Sequence, residues 1–199
     1  MVTKKNSHFA EHEFYEYLLV AHPDADVHEK VMAEKKLFFE EYKEKIAIKT
    51  KPHITVANFF AKEEMEDTII RGVQRICNNQ QSFTVTLNNY SGFPPHTIYL
   101  RVQNAKPFQQ LAKQLSVVNN YVSSCSCPPM ILISNPHVSI AGMLPEEIYF
   151  KALIQYAHKS FHESFVVNKL MLLRRKHPAD TCKSINVFGL PPANELSIN

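Results

Sequence analysis

The chain has 199 residues, of which 45% are hydrophobic and 21% are charged, and its formal net charge is +3. These values are typical of a soluble globular protein that forms one domain, or two small lobes sharing a core. The mild charge does not by itself indicate a nucleic-acid-binding protein, and no run approaches the roughly 18 apolar residues that span a membrane.

Cysteine usage indicates a reduced, cytoplasmic protein. Of the four cysteines, only Cys125 and Cys127 are close in sequence, and their spacing does not fit a tetrahedral zinc site. Glutamates interrupt the apolar residues near the N-terminus, so this stretch does not fit a secretory signal. We therefore expect free thiols and a cytoplasmic location.

Two strand–helix pairs are predicted in the first part of the chain. Residues 13–21 are rich in aromatic and branched side chains, which favours a strand, and Asp24 is placed to cap a following helix. A second strand is predicted at residues 53–60. The two helices carry apolar stripes at Val27, Val31, Phe38 and Tyr42 and at Met65, Ile69, Val73 and Ile76.

A hairpin and further elements follow in the rest of the chain. Residues 82–90 and 97–103 alternate apolar and polar side chains, and the Gly-Phe-Pro-Pro-His segment between them favours a turn. A helix is predicted after Asn104, with an apolar stripe that runs to Val118. The last predicted elements are a strand from His137, a helix opened by Pro145, and strands at residues 164–173 and 184–190.

One six-residue pattern occurs twice. Residues 52–57 and 136–141 share Pro-His-aliphatic-hydroxyl-aliphatic-Ala, and each copy is preceded by a helix and followed by a helix and two strands. This repeat predicts an α+β fold of two pseudo-symmetric lobes, each a mainly antiparallel sheet with flanking helices, around a central cleft. We expect a single bilobal, monomeric domain over residues 1–199, with irregular ends at about 1–12 and 191–199.

The repeat places chemically useful side chains on one face of each strand. Alternate residues share a face, so His53 lies beside Thr55, and His137 beside Ser139. Two imidazoles facing one ligand can divide acid and base work, and two hydroxyls can bind phosphate oxygens. One His-x-Thr pattern is weak, and a structural histidine is the alternative, but the duplication favours a site. No third metal ligand accompanies the histidines, so we expect no metal and no cofactor.

These residues resemble the two-histidine (2H) phosphoesterase superfamily, in particular its 2′-5′ RNA ligase-like and cyclic phosphodiesterase branch. The resemblance rests on His-Ile-Thr-Val at residues 53–56, on His-Val-Ser-Ile at residues 137–140, and on the segment from Gly92 to Leu115. It covers the chain from about Phe14 to Leu190. It implies a bilobal α+β fold and metal-independent hydrolysis of 2′,3′-cyclic phosphate ends of RNA or small nucleotides, with cleavage or joining of 2′-5′ linkages as a related activity.

The resemblance also implies roles for individual residues. His53 would be the general acid and His137 the base that activates water, while Thr55 and Ser139 would bind the phosphate.

Many relatives carry an arginine shortly after the second motif, and this chain does not. Two alternatives follow: phosphate affinity or RNA preference differs, or the cation comes from elsewhere, for example from Arg101 or Lys51. Phe93 and His96, in the hairpin turn, are candidates to stack on a base or only to anchor the loop. The alternative function is a non-catalytic nucleotide- or RNA-binding module of the same fold, and a metal-dependent hydrolase is a further rival.

Overall fold

The computed structural model of the protein describes residues 14–177 and 180–193, so the predicted irregular ends lie largely outside the described residues. The strands are β1 (Tyr15–Ala21), β2 (Ile54–Ala61), β3 (Phe83–Phe93), β4 (Thr97–Val102), β5 (Ile131–Leu132), β6 (His137–Ala141), β7 (His162–Val167), β8 (Lys169–Arg175) and β9 (Lys183–Gly189). The helices are α1 (Ala25–Tyr42), α2 (Ile46–Lys49), α3 (Glu66–Asn78), α4 (Lys106–Gln114), α5 (Ser116–Ser124) and α6 (Glu146–Tyr156), and a 3₁₀ turn (Glu63–Met65) precedes α3.

Across these residues the strands form one antiparallel sheet. Its order is β7-β3-β4-β6-β2-β1-β8-β9, and β5 pairs with β2. The strands that carry the two copies of the repeat, β2 and β6, are neighbours at its centre, where Ile54 pairs with Val138. The predicted α+β class and antiparallel sheet are therefore confirmed, whereas the division into two lobes around a cleft remains a prediction.

Helices flank both halves of the sheet. α1 packs against β6 and β7, and α6 packs against β3 and β4, whereas α3 contacts β9 and α4 contacts β2. α1 begins as its sequence predicts, because Asp24 Oδ1 accepts a hydrogen bond from Val27 N at 3.0 Å. The predicted stripe of α1 is buried, and one further residue, Lys35, is buried within it.

Two predicted elements differ from the structure. The run at residues 164–173 is not one strand: it divides at Asn168 into β7 and β8, which pair with β3 and β1 on opposite halves of the sheet. The helix predicted after Asn104 is two helices, because the chain bends at Leu115 between α4 and α5. Both runs are apolar enough to continue, and their pairing and packing partners decide where they break.

The strands beside the two motifs have matched registers. In β1 and β2, Leu19 pairs with Ala57 and Val20 with Thr55, so Val56 is an extra, bulged residue. In β4 and β6, Ile98 pairs with Ala141 and Tyr99 with Ser139, so Ile140 is bulged. Each bulge directly follows the motif hydroxyl. The repeat therefore extends to a unit of strand, helix, motif strand and helix that begins at β1 in the first copy and at β4 in the second.

Candidate active site

The four motif side chains meet at the junction of β2 and β6. Ile54 and Val138 pair there and are fully buried. An antiparallel register through this pair sets His53 against Ser139 and Thr55 against His137, and all four are half-buried on the opposite face. The structure thus brings together the four residues that the sequence singled out as catalytic. His53 lies just before β2 and His137 is the first residue of β6.

Both motif imidazoles are oriented in the same way. His53 Nδ1 lies 2.8 Å from the carbonyl oxygen of Lys51, and His137 Nδ1 lies 2.9 Å from that of Asn135. A carbonyl oxygen can only accept, so each Nδ1 is the donor and the neutral ring carries its lone pair on Nε2. Each Nε2 can therefore take a proton, or give one when the ring is charged.

The surroundings lower the pKa of both histidines below the ordinary value. For His53 the main cause is burial, to which the positive charges of His22, Lys35 and His137 add, while the bond to Lys51 opposes the shift. For His137 the cause is burial, opposed by the bond to Asn135. The neutral, proton-accepting form of each ring is therefore favoured in the free protein.

A third histidine, His22, lies beside His53. Its Nδ1 is 2.8 Å from the carbonyl oxygen of Pro52, and its ring centroid is 6.1 Å from that of His53. Since Val20 pairs with Thr55, the same register carries His22 to His53. His22 was not among the predicted site residues, and its position after β1 is informative only once β1 is known to pair with β2.

Arg101 occupies the matching position beside the second motif. It pairs with His137 across β4 and β6, so its side chain shares the face of that histidine. The guanidinium is exposed, and its Nε donates to the carbonyl oxygen of Asn88 at 3.2 Å. The structure therefore brings Arg101 to the second motif, whereas for Lys51 it shows a contact of the main-chain carbonyl with His53.

Aromatic rings also lie against the second motif. Phe93 stacks on Tyr99 with centroids 4.2 Å apart, and the centroids of Phe93 and Tyr99 are 4.9 and 5.0 Å from that of His137. Phe93 thus lies beside His137, and Tyr99 is a neighbour of the second motif that sequence reasoning missed. His96 is exposed in the turn, where its Nδ1 is 3.2 Å from Thr97 Oγ1 and its carbonyl accepts from Leu144 N.

The described part of the chain shows neither a metal-binding cluster nor a membrane-spanning helix. Residues 14–177 and 180–193 contain no group of three or more His, Cys, Asp or Glu side chains arranged to hold a metal ion. Among the helices in these ranges, none has the length and apolar character needed to cross a membrane. The cysteines described are free thiols, and burial raises the pKa of Cys77 to about 12.

Comparisons with known proteins identify the family of the chain and agree with its fold. The profile of the 2′-5′ RNA ligase superfamily matches residues 23–179, and the chain belongs to this family. Among solved structures, E. coli LigT complexed with 3′-AMP superposes with a TM-score of 0.62 at 15% identity, covering 89% of this chain and 99% of LigT. The protein TT0787 of Thermus thermophilus gives 0.61 at 14% identity, covering 89% and 98%. A search of curated protein sequences found no significant match.

Proposed function

We propose that the protein is a phosphoesterase that hydrolyses 2′,3′-cyclic phosphate ends of RNA or of small nucleotides, with His53 and His137 as the acid–base pair. The observation that carries this proposal is the junction of β2 and β6, where both imidazoles use Nδ1 for a backbone carbonyl, so that Nε2 is the remaining atom for proton transfer, and share a strand face with the motif hydroxyls. The superfamily of the chain supports it, as do the structures of LigT with 3′-AMP and with phosphate.

The proposed displacement at phosphorus needs two proton transfers, one from the attacking water and one to the leaving oxygen. His137 Nε2 takes a proton from water as the water oxygen bonds to phosphorus, and protonated His53 donates its Nε2 proton to the ribose oxygen that leaves. The ring opens to a 2′- or a 3′-phosphate, according to which P–O bond breaks. A bound phosphodiester raises the pKa of a nearby imidazole, which supplies the protonated form that the acid requires.

Binding of the substrate would use the groups around the pair. The hydroxyls of Thr55 and Ser139 donate to non-bridging oxygens, and the exposed guanidinium of Arg101 beside His137 supplies the positive charge that many relatives place after the second motif. The stack of Phe93 on Tyr99 gives an aromatic surface for a base. His96, in the turn that follows Phe93, would contact the same part of a nucleotide.

The deciding experiment is a substrate panel. Purified protein is incubated with the four nucleoside 2′,3′-cyclic phosphates, with RNA bearing a cyclic phosphate end, and with 2′-5′-linked dinucleotides, each with and without EDTA. We expect turnover of at least one cyclic phosphate that EDTA does not reduce. Loss of activity in EDTA would contradict metal-independent catalysis. Nucleotide binding without any turnover would favour the binding-module function instead.

A further inference from the structure

The backbone carbonyls at the two bulges that follow the motif hydroxyls accept hydrogen bonds from different kinds of donor. A bulge leaves backbone groups out of the ladder, and it sets the direction of the neighbouring side chains. At the first motif, the carbonyl oxygen of Val56 accepts from the backbone N–H of Ile133 at 3.0 Å. At the second motif, the carbonyls of Ser139 and Ile140 accept from the side chain of Lys35, at 2.9 and 3.1 Å. The Lys35 ammonium group therefore donates to the bulged carbonyl of the second motif, as the backbone amide of Ile133 donates to that of the first.

Lys35 is held in the interior by these contacts. Lys35 is 1% exposed, and its ammonium group also lies 3.4 Å from Thr50 Oγ1. An ammonium has three donors, and Lys35 has three acceptors: two on the second motif and one just before the first. Burying a charged group is costly unless it is well bonded, so a lysine at this place calls for a reason other than packing.

We propose that Lys35 is a positioning residue of the site: its ammonium group fixes the bulge that directs Ser139 and supplies a positive charge behind the phosphate-binding face. This inference rests on the proposed function, because it deepens the account of how that site binds its anion. Lys35 would then be a second cation of the site besides Arg101. It lies in the interior on α1, and its ammonium group contacts the second motif and Thr50, which precedes the first motif.

The electrostatics agree with this role. Burial lowers the pKa of Lys35 to about 8, so the group is charged at neutral pH and loses its charge as the pH rises through that value. The titratable groups that act on His53 are His22 at the end of β1, Lys35 on α1 and His137 on β6. Removing the Lys35 charge should therefore raise the pKa of His53, and His137 should respond less because its shift arises from burial and the bond to Asn135.

The test compares Lys35→Met with Lys36→Met. Both changes remove one positive charge from α1, but Lys36 is exposed and Lys35 is buried against the motifs. NMR titration of the histidines and the Kd of sulfate are measured for each variant, and kcat and KM for the substrate found in the panel. We expect Lys35→Met to raise the pKa of His53 and to weaken sulfate binding about three- to tenfold. Lys36→Met should leave both values unchanged.

A measurement on the wild-type protein covers the case in which Lys35→Met does not fold. Sulfate keeps its charge between about pH 7 and 9, and histidines with lowered pKa are already neutral there. We expect sulfate binding to weaken across this interval as Lys35 deprotonates. Constant affinity across it, or equal behaviour of the two methionine variants, would overturn the proposal. Neither readout needs turnover, so an inactive protein whose sulfate binding follows Lys35 would refute the proposed reaction and leave this inference standing.

Discussion

The two sides of the β2–β6 junction are alike in their motifs and unlike in their neighbours. On each side the Nδ1–H of an imidazole donates a hydrogen bond to a carbonyl two residues earlier, and a bulge follows the hydroxyl. Across the sheet, however, the first motif faces His22, whereas the second faces Tyr99 and Arg101. The aromatic pair and the guanidinium are therefore on the His137 side, and a third imidazole is on the His53 side.

This difference separates the side chains that occur in both copies of the repeat from those that occur beside only one copy. The repeated groups are those that move protons and bind phosphate oxygens, which any phosphodiester substrate requires. The unrepeated groups carry a permanent charge and flat rings, which are suited to distinguish one end of a nucleotide from the other. The comparison thus predicts that loss of either motif histidine lowers the rate on a cyclic phosphate to a similar extent, whereas changes in the neighbours of the two motifs have unequal effects.

The largest expected effect is the loss of either motif histidine. His53→Ala and His137→Ala should each lower kcat by about 10²- to 10⁴-fold on a cyclic phosphate, because each removes one of the two proton transfers. A diester with a good leaving group, such as p-nitrophenolate, needs no acid. We therefore expect His53→Ala, but not His137→Ala, to recover most of its activity on that substrate, as measured by steady-state kinetics.

The control for these variants is His158→Ala, since His158 is exposed beyond α6. It should keep wild-type rates on both substrates. Recovery by His137→Ala instead of His53→Ala would reverse the acid and base roles. Wild-type activity in either motif variant would remove that histidine from the mechanism.

The next effect concerns the unlike neighbours. Arg101→Gln should raise KM about tenfold with a smaller change in kcat, because it removes a permanent charge from the His137 side. His22→Gln should change KM less, and it should raise the pKa of His53, on which His22 acts electrostatically. Kinetics and NMR titration of the imidazoles provide the two readouts.

Arg71→Gln, on the exposed face of α3, is the matched charge control. Equal increases in KM for Arg101→Gln and Arg71→Gln would show that only the net charge matters. A pKa of His53 that does not move in His22→Gln would mean that the two rings act independently.

The sequence predicted the repeated part of this comparison and missed most of the unrepeated part. Alternation along a strand shows which side chains share a face, so the grouping of His53 with Thr55 and of His137 with Ser139 could be predicted. Alternation does not show which strands are neighbours. The positions of His22 and Tyr99 depend on two non-local pairings and two bulges, and the crossing at Asn168 depends on partners far away in the chain.

Lys35 was missed for a different reason. The predicted stripe of α1 has spacings of four, seven and four residues, and Lys35 lies in the gap of seven, four residues after Val31 and three before Phe38. A polar residue in an apolar stripe is assigned to the surface by composition alone. The acceptors that bury it, the carbonyls of Ser139 and Ile140, are backbone groups that no side-chain pattern reveals.

The smallest expected effect is on stability at mildly acidic pH. The pKa of both motif histidines is lower in the folded protein than in the unfolded chain, so the unfolded chain binds more protons as the pH falls below about 6.5. The contribution of these histidines to the free energy of unfolding should therefore be fully present above that pH. It should decrease as the pH falls toward the folded-state pKa values. Urea unfolding of the wild type at about pH 8, 6.5 and 5.5 measures this slope.

The comparison of the two sides is sharpened by His53→Gln and His137→Gln, which cannot titrate. Each should flatten the slope, and His53→Gln should flatten it more, because positive neighbours add to burial only at His53. His158→Gln, which replaces an exposed histidine beyond α6, is the control. If the double variant His53→Gln/His137→Gln kept the full slope, other groups would cause it. If His137→Gln had the larger effect, the charges of His22 and Lys35 would contribute little to the pKa of His53, and the two sides would differ less than their neighbours indicate.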